Sequence, residues 1–138
     1  QMRKIESISA IYPSEINFNI NTFEEKLIPN SNLDIQLGMI VEELKGDDKN
    51  NFRATVSFLM GLAEEDDKTI LVKISHIIEF TSDVEDFNLE EKADNFILFE
   101  IVEPYVRYRF HELLNETKFS TLNIPYKFWE LIGDGSEI

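Results

Sequence analysis

The sequence predicts an α+β domain, a four-stranded antiparallel sheet backed by helices, on three observations. Three successive segments alternate apolar and polar residues with period two, the polar connections between them are short, and over the last third the period changes to steps of three and four. At 138 residues the chain has the size of one ordinary domain, spanning 1–138, with 133–138, "GDGSEI", expected to fray.

The first element is expected to be a broken strand. In "KIESISAIYPSEINFNI" Ile5, Ser7, Ser9 and Ile11 alternate with Glu6, Ile8, Ala10 and Tyr12. Pro13 then removes a ladder donor, which marks an edge position or a bulge. "NTFEEKLIPNSN", Asn21 to Asn32, carries Pro29 and little periodicity, and is expected to be a long crossover loop bearing Phe23, Leu27 and Ile28.

Three firmer strands follow. "LDIQLGMIVEEL" places Leu33, Ile35, Leu37, Met39 and Val41 on one face, "FRATVSFLMGL" places Phe52, Ala54, Val56, Phe58, Met60 and Leu62 together, and "ILVKISHIIEF" aligns Ile70, Val72, Ile74, His76, Ile78 and Phe80. Their connections, "KGDDKNN" and "AEEDDK", are turn-prone and shorter than a parallel return requires, so the three form a meander. Charge at each hairpin tip discourages stray edge pairing.

Beyond the meander, Phe99, Val102, Val106, Phe110, Leu113 and Leu114 form a helical stripe, with Ser82 or Asp83 as caps of a first turn and Asn95 as cap of the main helix. Pro104 either kinks this helix or starts its second half. A second row, Leu98, Ile101, Tyr105 and Tyr108, fits either an oligomer interface or a wide core-facing stripe. "FSTLNIP" then bridges in extended form to a short amphipathic helix, Tyr126 to Ile132. That last segment must bury its apolar surface against the chain's own sheet, a second copy, or another polypeptide.

Composition narrows the function classes. Thirteen basic against twenty-seven acidic residues give a net charge of −14, a field that repels phosphate backbones and anionic lipid. Nucleic acid is therefore not an expected partner. The absence of cysteine removes disulfides and thiol chemistry and fits a cytoplasmic setting. No apolar run approaches the roughly 20 residues of a membrane span, and "QMRKIESISAIYP" lacks a signal peptide's uninterrupted apolar core.

Neither histidine marks catalysis. His76 lies on an apolar strand face, as a satisfied core or interface imidazole would; His111 beside Glu112 has no second histidine one turn away for zinc. The glycines form no phosphate loop, and the carboxylates at Asp47/Asp48, Glu64 to Asp67 and Glu90/Glu91 lack calcium-loop spacing. No enzyme activity, cofactor or metal is expected.

The stretch "EPYVRYRFHELLNETKFSTLNIPYKF" resembles the SecB protein-export chaperone family: Pro104, Tyr105 and Arg107, then a helix, then Phe119, Leu122, Asn123, Ile124 and Pro125. The order of upstream elements agrees with that family. The resemblance implies a homotetramer, built as a dimer of dimers, acting as an ATP-independent holdase for unfolded or nascent polypeptides. It implies a client groove lined by Phe18, Ile20, Phe23, Leu27 and Ile28 on one side and Tyr126, Phe128, Trp129, Leu131 and Ile132 on the other. Delivery to the SecA motor would use an acidic sheet face with Asp34, Glu42, Glu43 and Glu79. Three alternatives stand beside it: a chaperone dedicated to one client, an interaction scaffold of the same fold, and a binder of small apolar ligands.

Overall fold

The computed structural model describes residues 5–26, 33–44, 51–62, 70–82, 92–122 and 124. Along the chain these form β1 (Ile5–Phe18), α1 (Ile20–Lys26), β2 (Leu33–Glu43), β3 (Asn51–Leu62), β4 (Ile70–Ser82) and α2 (Lys92–Leu114). The four strands make one sheet in the order β1-β4-β3-β2, every neighbouring pair antiparallel. The expected meander is β2-β3-β4, and β1 closes the far edge beside β4.

Alternation in β3 translates directly into burial. Phe52, Ala54, Val56, Phe58 and Met60 are buried while the residues between them are partly exposed. In register they meet Phe80, Ile78, His76, Ile74 and Val72 of β4. α2 packs on this face through Leu98, Phe99, Val102, Val106, Phe110 and Leu114, all essentially sealed from solvent. Phe58 meets Phe110 edge-on at 6.3 Å between ring centroids. Each such aromatic contributes about 1.5–3 kcal/mol by leaving water.

β1 is a single long edge strand, and its fourteen residues face a shorter run of β4 through three register shifts. The shifts fall between Ile5 and Ser7, Ile8 and Ala10, and Pro13 and Glu15. Each extra residue resets the side-chain parity. The residues opposite the helix-side positions of β4 are consequently Ile5, Ile8, Ile11, Pro13, Ile16 and Phe18. This corrects the period-two expectation, which set Ile8 opposite Ile5. Pro13 is accommodated because β1 is an edge, where a missing N–H breaks no second ladder.

A second correction concerns the crossover, whose first part is helical. Asn19 caps α1: its Oδ1 accepts from the backbone N–H of Asn21 at 2.9 Å and Thr22 at 3.2 Å, and its carbonyl accepts from Phe23 N–H at 3.0 Å. Ile20, Phe23 and Leu27 are spaced by three and four residues in the sequence, the period of a helix face.

α2 also begins earlier than expected, at Lys92, so Asn95 lies inside the helix and not at its start. It runs unbroken through Pro104. Pro104 and Glu100 are both exposed, so the Glu100 carbonyl that loses its partner faces water. The helix stops at Leu114, whose carbonyl accepts from Thr117 N–H at 3.0 Å and Thr117 Oγ1 at 2.9 Å.

Candidate functional site

The post-helix linker, residues 115–122 with Ile124, returns across α1 and forms an apolar seam with it. Thr117 Oγ1 accepts from Phe119 N–H at 3.0 Å, and Leu122 N–H donates to the Phe119 carbonyl at 3.0 Å. These turns aim the Phe119 ring at Phe23 of α1, edge-on at 4.8 Å, and Phe23 in turn meets Phe18 at 5.6 Å. Lys118 bridges to Glu24 at 3.7 Å and holds its ammonium 5.6 Å from the centre of the Phe119 ring.

Burial within the seam is graded. Phe23 is fully buried and forms its floor, while Phe18, Ile20, Phe119 and Leu122 pack against the core and remain partly exposed. Such a surface presents apolar area without directional hydrogen-bond demands, so its chemistry is the non-covalent holding of apolar side chains of varied shape.

Of the expected groove residues, Phe18 packs on Phe23 at this seam, and Ile20 opens α1 and packs on the core. Phe23 is a correction: at 0% exposure it has no surface to offer a client, because Phe18 and Phe119 cover it. Leu27, Ile28, Tyr126, Phe128, Trp129, Leu131 and Ile132 lie outside the described residues, as does the tail from Gly133. Phe119 and Leu122 were not expected to line the site. The signal for them was available in the cap at Asn19 and the helical spacing behind it, which bring α1 against the linker.

The row proposed for subunit contact also divides. Leu98 of α2 is fully buried and belongs to the core, so at this position the core-facing alternative holds and not subunit contact. Ile101 is partly buried, whereas Tyr105 and Tyr108 are 45% and 63% exposed. Tyr108 carries Arg109 at 5.7 Å from its ring centre, and Arg109 pairs with Glu112 at 3.0 Å.

On the sheet face away from α2, register places Asp34 and Glu42 of β2 with Glu79 of β4. Glu43 is opposite Phe52, so it belongs to the helix side, at the exposed end of β2. This corrects its expected place on the acidic face. The centre of the outer face is balanced in charge: Arg53 approaches Glu79 at 3.9 Å, and Lys73 pairs with Glu15 at 3.1 Å. Ser57 and Ser75 share a hydroxyl hydrogen bond of 2.8 Å between them.

His76 is buried between β4 and α2, with Tyr105 at 6.1 Å between ring centroids. Its Nδ1 has no hydrogen-bond partner among the described residues, which corrects the expectation of a satisfied imidazole. Burial, aided by the nearby Arg109 guanidinium, pushes its pKa down from 6.5 to about 4, so it is neutral at pH 7. Among the described residues no three His, Asp or Glu side chains gather to hold a metal, and no helix is long and apolar enough to cross a membrane.

No family model matches the chain, and no curated protein matches it in sequence. Among solved structures it is similar to the SecB-like chaperone Rv1957 of Mycobacterium tuberculosis, solved in complex with a ChAD peptide from the Rv1956 HigA1 antitoxin. The match has a TM-score of 0.55 at 12% identity and covers 86% of this chain and 85% of that one. The chain therefore has a SecB-like fold, α+β with a four-stranded antiparallel sheet backed by helices.

Proposed function

We propose that the protein is an ATP-independent holdase that binds unfolded or nascent polypeptide along the seam between α1 and the post-helix linker. The observation that carries this reading is the packing of Phe18 and Phe119, both partly exposed, on a buried Phe23, with partly exposed Ile20 in α1 and Leu122 in the linker that these rings join. The same fold in a chaperone solved with a bound peptide supports it. Leu27, Ile28, Tyr126, Phe128, Trp129, Leu131 and Ile132 are assigned to the same surface as its extension. Burial of apolar area at about 25 cal/mol per Å² lets a few such side chains hold many sequences.

Assembly is proposed to use the outer side of α2, where Tyr105 and Tyr108 are exposed beside Ile101. The dimer of dimers and the cytoplasmic setting are carried over from the SecB resemblance. Delivery to the SecA motor would rest on Asp34 and Glu42, the acids of the outer face for which no ion pair was found among the described residues. The test is suppression of aggregation of a denatured client, without ATP and at near-stoichiometric chaperone. Suppression should weaken in Phe128→Ala with Trp129→Ala while the solution mass stays that of the parent. A protein that suppresses nothing at any salt concentration is not a holdase.

A further inference from the structure

The geometry points to Arg107 as a positioning residue for the linker rim of the peptide site, an inference that rests on the holdase reading above. Arg107 sits in the second half of α2, partly buried, beside Glu103 one turn earlier. Its Nε donates to Glu103 Oε2 at 3.0 Å and its Nη2 donates to the same oxygen, while Nη1 reaches seventeen residues along the chain to donate to the Ile124 carbonyl at 2.7 Å. Glu103 fixes the plane of the guanidinium, and the guanidinium fixes the backbone of the linker.

Contacts of different chemistry therefore hold the linker. Phe119 is held by apolar contact with Phe23 beside the exposed Lys118–Glu24 pair, and Ile124 by its buried side chain together with a charge-assisted hydrogen bond from α2 to its carbonyl. Leu122, a partly exposed side chain of the seam, lies between them. Apolar packing tolerates sliding and rotation. A planar guanidinium held at both ends does not, and it fixes the backbone two residues beyond Leu122. Proline at 125 reinforces this by disfavouring helical backbone at Ile124. Lysine cannot substitute, because an ammonium is a point donor without the fork that spans Glu103 and the carbonyl together.

The test compares the parent protein with Arg107→Lys and Glu103→Gln, in about 0.15 M salt to suppress nonspecific attraction of a basic client. Amide hydrogen exchange is read at Phe119 and Leu122, and affinity is read with reduced, carbamidomethylated lysozyme as a permanently unfolded probe. In Arg107→Lys, linker exchange should quicken and the probe's Kd rise, each about tenfold, the scale of one charge-assisted hydrogen bond. Exchange in β3 and β4 should keep its parent rate. Glu103→Gln, which leaves the Ile124 bond but loosens the guanidinium plane, should give roughly threefold on the same scale.

Parent-like linker exchange with parent-like affinity in Arg107→Lys overturns the inference. So does exchange that quickens equally in the linker and in β3 and β4, since the residue would then be holding the whole fold. A parent protein that fails to bind the probe, with linker exchange still quickened by Arg107→Lys, removes the holdase reading and leaves the positioning of the linker standing.

Discussion

The core under α2 and the seam beside α1 are built from the same residue types and end in different states. Phe58, Phe99 and Phe110 are closed in by a full-length helix lying on β3 and β4, and each is essentially sealed. Phe18 and Phe119 contact an equally buried ring, Phe23, yet stay partly open because a helix of seven residues and a turn-rich linker are too short to cover them. The difference teaches that aromatic content alone marks neither core nor site. Cover decides, and cover depends on element length.

The sharpest way to break the comparison is to truncate an aromatic in the core. Phe110→Ala should cost about 3–5 kcal/mol, the usual price of a large buried cavity, measured by denaturant unfolding. Affinity for unfolded client per folded molecule should change little. A Phe110→Ala protein of parent stability would mean that α2 does not close the core.

His76 offers a pH handle on the same core. Its folded pKa is lowered to about 4 from 6.5, so the folded state resists the proton that the unfolded chain takes up. Its contribution is fully present above about pH 6.5 and is lost as pH falls towards 4, on the order of 3 kcal/mol across that window. His76→Leu should flatten the decline between those values relative to the parent in thermal melts run across pH. Parallel declines in both proteins would assign the loss to the carboxylates.

Much of this contrast was legible in the sequence. The meander could be read because β3 keeps a strict period of two and buries one side of it, and the α2 stripe because Phe99, Val102, Val106 and Phe110 keep a helical one. At Pro13 β1 was read as an edge position or a bulge, and a register shift does follow Pro13 on this edge strand; its parity was not read, since the two earlier shifts bring Ile5, Ile8 and Ile11 to one side and a period-two rule does not see them. α1 was hidden because a single short helix gives only two or three periodic positions, and its cap at Asn19 also reads as loop chemistry. The burial of Phe23 and Leu98 followed from tertiary cover, which no local pattern carries.

Substitutions in the seam should separate binding from folding. Ile20→Asp with Leu122→Asp is expected to weaken client binding about tenfold or more, by placing charge where apolar side chains must dock. Both residues are partly exposed, so the loss of stability should stay below that of Phe110→Ala. A similar fall in stability for the two variants would erase the distinction between core and seam. Tyr105→Asp with Tyr108→Asp tests the outer side of α2 separately, and should lower the solution mass measured by light scattering while seam binding by each chain persists.

The smallest effect is expected on the outer sheet face. Removing the exposed pair by Glu15→Gln with Lys73→Gln should change stability by about 0–1 kcal/mol. Client binding should not respond, which makes this variant the control for charge changes elsewhere.

The central claim is that foreign unfolded chain reaches the α1–linker seam. Site-specific photo-crosslinking tests it most directly, with the crosslinking side chain placed in turn at Ile20, at Leu122 and at Ile40, the 65% exposed residue on the outer face of β2. Crosslinks to an unfolded client from positions 20 and 122, and none from 40, are the predicted result. Crosslinks that form from position 40 and not from the seam would contradict it.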